Sequence, residues 1–259
     1  MSSTATELSV PVPWGQIRGK AWGPDHGRPV LCLHGWADNC GTFNTLIPRL
    51  PKDGRYVAVD MPGHGLSSHR PPGVFYSFPA YVADVRRIVD SGNIAALFSA
   101  LYPDMVDAVV LLDTLGFIPT DLTEIPKVMR QGMDEMLQYE KKTEEKRRVY
   151  TYEKAAERIC ILQRPKNIAR MSFEQSLEMQ ARIQAPLLAV LADEGFCVTF
   201  PDLSQQRVAS RLLQGYHDRS HTVVTVPGDH HVHLSNPEVV APLVSQFLQT
   251  DVIPQQLPA

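Results

Sequence analysis

Three segments of the 259-residue chain set chemistry-bearing residues directly behind short apolar runs: His34-Gly35-Trp36-Ala37-Asp38, Asp60 through Ser68, and Asp229-His230-His231-Val232-His233. An imidazole gains and loses a proton near neutral pH, which suits it to general acid–base work. A glycine at a strand end lets another backbone approach closely, and an amide such as that of Trp36 is the kind of group that stabilises a developing oxyanion. Each segment alone is a weak signal, because a single strand-end histidine is more often a structural hydrogen-bond partner. Three histidines in four residues also suggest metal ligands, but no carboxylate cluster or Cys/His spacing accompanies them, so neither metal nor cofactor is expected.

These loops need a scaffold that delivers them to one place. Pro29–Leu33, Tyr56–Val59, Ala108–Leu112, Pro186–Leu191 and Thr222–Val226 are short continuous apolar runs, the pattern of parallel strands buried on both faces. Helical stretches separate most of them, which gives an α/β open sheet with ligands at the strand ends. Leu8–Val12 and Gln16–Trp22 flank Pro13-Trp14-Gly15 as an opening hairpin. Thr42–Leu50 reads as one short helix, Phe78–Asp90 and Ile94–Tyr102 as two more, and Asn236-Pro237 as the start of another. From about Thr120 to Gln184 the composition changes. The run Glu140–Arg148 is densely charged and no strand signature occurs, so this is a helical insertion whose charges form a solvated face.

The 25 Lys and Arg nearly balance the 28 Asp and Glu. Nothing is left over to neutralise a phosphate backbone or an anionic membrane, so nucleic acid is not an expected partner. No run approaches the roughly 18 to 20 apolar residues of a membrane span, and nothing at the N-terminus reads as a secretory signal. Cys32, Cys40, Cys160 and Cys197 are scattered, as free thiols in a reducing compartment would be.

Taken in order, His-Gly-Trp, Asp-x-x-Gly-His-Gly-x-Ser and Gly-x-His resemble the α/β-hydrolase superfamily. Their wording, Leu-Cys-Leu-His-Gly-Trp-x-Asp-Asn and Pro-Gly-Asp-His-His-Val-His-Leu, is most similar to the vertebrate serine hydrolase-like proteins. The resemblance implies a mostly parallel central sheet, with core halves at residues 1–119 and 183–259 around a helical cap at 120–182. It also implies ester-type hydrolysis of a small-molecule or lipid-like substrate, and an intracellular location, cytoplasmic or, by family, perinuclear vesicles or peroxisomes. By position His230 becomes the general base, with Gly35 and Trp36 at the oxyanion. Asp193 becomes the acid that orients His230, with its neighbour Glu194 as an alternative, and Asp113 is the backup acid, which reads otherwise as a loop-capping carboxylate. The resemblance names no protein partner.

One part of the pattern is missing. The fold presents its serine on a sharp strand-to-helix turn, Gly-x-Ser-x-Gly, because that turn lifts the hydroxyl clear of the sheet. No such motif occurs anywhere in the 259 residues. Its place lies at Ile88-Val89-Asp90-Ser91-Gly92-Asn93, where both flanks match the family and about 15 to 20 residues, enough for a loop, a strand and the elbow, are absent. So clean a joint suggests a splice variant or gene-model error, and a second deletion fits the sparse passage Gln163–Ser172. Ser91 reads as a loop or capping residue, with a substitute nucleophile as the alternative. The sequence therefore predicts an α/β-hydrolase fold lacking the central strand before the nucleophile. Two functions follow: an inactive, pseudoenzyme-like form that binds a ligand or partner, or an ester hydrolase working through Ser91.

Overall fold

A computed structural model describes residues 4–35, 38–71, 73–74, 76–89, 96–116, 119, 123–127, 129–134, 172–195 and 203–250. Within them lie seven strands: β1 (Thr6–Val12), β2 (Gly15–Trp22), β3 (Arg28–Leu33), β4 (Gly54–Val59), β5 (Val109–Leu112), β6 (Leu187–Glu194) and β7 (Thr222–Asp229). The helices are α1 (Phe78–Val89), α2 (Ala96–Leu101), α3 (Phe173–Ala181), α4 (Leu203–His217), α5 (Val232–Ser235) and α6 (Pro237–Thr250), with further helical residues between 125 and 134. Most of the proposed cap, and Ser91 with its neighbours 90–95, lie outside the described residues.

The apolar runs become the strands because both of their faces are covered. In β6, Leu188, Val190 and Ala192 face a core shared with Val240, Val244 and Phe247 of α6. The alternate residues Leu187 and Ala189 pack with Ala100 of α2 and Tyr216 of α4, and Leu191 packs with Leu212. This two-residue alternation inside an unbroken apolar run is the signature of a strand buried on both sides. β4 repeats it, with Tyr56 and Ala58 toward α6 and Val59 toward Val85 and Ile88 of α1. The opening hairpin forms as expected, and β2 pairs antiparallel with β4. The segment expected as one helix over Thr42–Leu50 is instead two short 3₁₀ turns, Cys40–Phe43 and Ile47–Arg49. Pro48 has no amide to donate and sits in the second turn, where that loss is tolerated.

The strands do not form one sheet. Their orders are β1-β2-β4-β3 and β5-β6-β7, with parallel pairing in β3–β4, β5–β6 and β6–β7. β3 and β5 are thus both edges, and they turn toward each other. Arg28 at the start of β3 pairs with Asp107 just before β5 at 3.0 Å, and Val30 and Cys32 pack on the same core as Val110 and Leu112. Among the described residues no strand bridges the two edges. No helix among them is long and apolar enough to cross a membrane.

Candidate active site

β5 ends at Asp113, the β6 end carries Asp193, and β7 ends in the loop that holds His230. Because the three strands are parallel neighbours, their carboxyl ends bring these side chains together. His230 Nδ1 lies 2.7 Å from Asp113 Oδ2, so the carboxylate accepts from the ring N–H. Asp113 is wholly buried, while the His230 side chain is about half exposed at 45%. The other oxygen, Oδ1, accepts from the amide of Ala192 at 2.9 Å, and the Asp113 amide donates to Val190 O at 2.7 Å. The backbone of Asp113 has φ +45°, the left-handed region that few non-glycine residues adopt. Strain of this kind persists where surrounding bonds over-determine it, as three do here.

In this geometry the ring of His230 meets Asp113 and not Asp193, the carboxylate expected to orient it. Asp193 lies opposite a register shift whose extra residue is on β7, between Val226 and Asp229, and its Oδ1 accepts from the Gly228 amide at 2.9 Å. This carboxylate thus bonds the backbone of the histidine loop. Asp113, the backup acid, reaches the ring from the other side. Gly228 itself needs the freedom of glycine: its φ is +140°, and a Cβ there would meet Val232 Cγ2 at 2.8 Å.

Two other histidines are hydrogen-bonded into the fold. His34 Nε2 accepts from Met61 N at 2.9 Å, which places the ring proton on Nδ1, 2.7 Å from Gly35 O. Burial lowers its pKa, and the ring braces the loop that carries Gly35. Trp36 lies outside the described residues. His233 is buried with Nε2 2.9 Å from Thr42 Oγ1, which ties the α5 turn to the first 3₁₀ turn. Its Nδ1 has no hydrogen-bond partner, and burial drives its pKa down to about 4. His231 stacks between the other two, with centroids 4.9 Å from His230 and 6.1 Å from His233. Among the described residues no three His, Cys, Asp or Glu side chains gather as a metal site would require.

The serines after β4 are also committed to the fold. Ser67 Oγ accepts from Arg18 N at 2.8 Å and Ser68 Oγ from Gln16 N at 2.9 Å, which pins this loop to β2. Sequence reasoning missed the anchor of the loop. Asp60, 3% exposed, accepts from Cys40 N at 2.7 Å and Leu66 N at 2.8 Å. Its only signal was an aspartate closing a buried strand, the same signal as at Asp113.

The family described as "Alpha/beta hydrolase family" matches residues 30–243. The "Serine hydrolase-like protein" of Danio rerio is 46% identical over 297 aligned residues, covering 96% of this chain and 90% of that protein. "Serine hydrolase-like protein 2" of Homo sapiens is 32% identical over 305, covering 97% of each. Both alignments are longer than the 259 residues of this chain, so both relatives carry residues with no counterpart here. Among solved structures, the hypothetical protein PA1622 of Pseudomonas aeruginosa PAO1 superposes with a TM-score of 0.74 at 24% identity, over 93% of this chain and 96% of that one.

Proposed function

The chain belongs to the alpha/beta hydrolase family, among its serine hydrolase-like members, and from that premise we propose that it keeps the acid–base half of an ester-cleaving site and lacks the nucleophile. In a complete member a serine attacks the ester carbonyl, and a histidine takes its proton and passes it to the leaving alcohol. An acid holds the histidine's tautomer, and backbone amides stabilise the oxyanion. Here His230 is the base and Asp113 the acid, with Gly35 and Trp36 beside the oxyanion. With Nδ1–H given to Asp113, Nε2 is the nitrogen on which a serine proton would arrive.

The observation that carries the proposal is the division of the sheet between β3 and β5. The nucleophile elbow needs a strand there to end beside His230, and the 259 residues contain no Gly-x-Ser-x-Gly. The surplus length of the relatives' alignments agrees with an internal deletion, which a splice variant would produce. Such a form binds a small ester or lipid-like ligand without turning it over by a serine mechanism. A fluorophosphonate probe, which labels activated serines, tests this. No labelling is expected. Labelling that disappears in Ser91→Ala overturns the proposal in favour of Ser91 as a working nucleophile.

A further inference from the structure

We infer that Gly195, just beyond β6, is a positioning residue for the histidine–carboxylate pair, because its missing side chain is the space that the Asp113 carboxylate occupies. A Cβ built on Gly195 would lie 2.3 Å from Asp113 Oδ1, 2.4 Å from Oδ2 and 2.5 Å from Cγ. All three are far inside van der Waals contact. Ordinarily the far end of a side chain moves aside at little cost. This one cannot: Oδ1 is held by Ala192 N, Oδ2 by His230 Nδ1, and the residue is fully buried on a strained backbone.

Gly195 is not required by its own turn. Its φ lies outside the left-handed region, so the backbone there accepts any L residue. The turn instead delivers the glycine to its place. Gly195 N returns to Ala192 O at 3.0 Å, and Gly195 is buried against the carboxylate. The end of β6 therefore does two things. Asp193 accepts from Gly228 N, and Gly195 leaves room for an acid arriving from the neighbouring strand.

The inference rests on Asp113 being the partner of His230, and the test separates the two claims. In ¹⁵N-labelled protein the hydrogen-bonded Nδ1–H of His230 gives a downfield proton resonance, assigned by its loss in His230→Gln. Its persistence unchanged in Asp113→Asn overturns the pairing itself. Loss of the resonance in both Asp113→Asn and Gly195→Ala, with the circular dichroism of Gly195→Ala unchanged, is the expected result. Loss in Asp113→Asn with retention at the same shift in Gly195→Ala overturns the role of Gly195 alone. If Gly195→Ala folds poorly, thermal unfolding decides the matter. The substitution is expected to lower the midpoint of the parent but not of Asp113→Gly, where the clashing atoms are gone and glycine tolerates the positive φ. An equal fall in both backgrounds overturns the inference.

Discussion

Two buried aspartates stand just beyond parallel strands and look alike in the sequence, yet they do different work. Asp60, after β4, gives both oxygens to backbone amides, Cys40 N and Leu66 N. Asp113, after β5, gives one oxygen to Ala192 N and the other to the imidazole of His230. The first is a brace, since amides do not titrate and the loop it closes is otherwise tied down by Ser67 and Ser68. The second joins a backbone amide to a side chain from another strand's loop. The same contrast separates the two sheets. In β5-β6-β7 both members of the pair come from one sheet, Asp113 after β5 and His230 after β7, with β6 between them. β1-β2-β4-β3 ends at β3, which has no further strand partner among the described residues. A histidine–carboxylate pair built this way draws on β5 and β7, whereas a nucleophile elbow needs a strand of its own.

The largest effect should come from closing the gap. Grafting the Danio rerio relative's intervening segment between Asp90 and Ser91 is expected to produce fluorophosphonate labelling and ester hydrolysis where the parent shows none. Removing a serine–histidine triad's nucleophile costs about 10⁶ in kcat, and the graft runs that change backwards. In the grafted chain Asp113→Asn should lower kcat by roughly 10⁴, as expected for an acid that fixes the base's tautomer. Asp193→Asn and Asp60→Asn should change it far less. Equal losses at Asp113 and Asp193 would dissolve the distinction drawn between them. The next effect is on stability. Asp60→Ala strands two amides, each bonded to a charged group at about 1.5–3 kcal/mol, so a loss of about 3 kcal/mol is expected in urea unfolding. A loss under about 1 kcal/mol would mean that Asp60 is not the brace.

Much of this was legible in the residues. Unbroken apolar runs foretold the strands because a parallel sheet buries both faces, and the histidine loop announced itself by density. What stayed hidden was which carboxylate faces the imidazole. Asp113 and Asp193 both lie at carboxyl ends of strands flanked by apolar residues. The choice between them goes with a one-residue register shift, its extra residue on β7 between Val226 and Asp229, which hydrophobic pattern does not encode. The division of the described strands into two sheets has no signal in the apolar runs, and the sequence offered only the absence of Gly-x-Ser-x-Gly beside it. Thr42–Leu50 misled because its apolar spacing suits a helix while Pro48 favours short turns.

The smallest effect distinguishes His233 from His230, two histidines three residues apart. His233 is 8% exposed with one ring nitrogen unpartnered, and burial, reinforced by His231 and His230, brings its pKa from about 6.5 down to about 4. The unfolded chain therefore binds a proton below pH 6.5 that the folded chain refuses until about pH 4. Stability must fall as pH falls through that window and level off beneath it. Between pH 7 and 5 the loss is about 2 kcal/mol, or roughly 4–8 °C in midpoint for a domain of this size. Asp84 acts in the opposite direction. Buried between Arg70 and Arg87, its carboxyl is raised to about 6 because burial outweighs the two guanidiniums, so acidification relieves the fold there. The raw pH curve mixes both slopes, and the difference between the parent and His233→Gln isolates one. That difference should shrink by about 2 kcal/mol from pH 7 to pH 5. A pH-independent difference would mean that His233 is solvated well enough to carry a charge, and the anchor between α5 and Thr42 would have to be held by something other than a neutral ring.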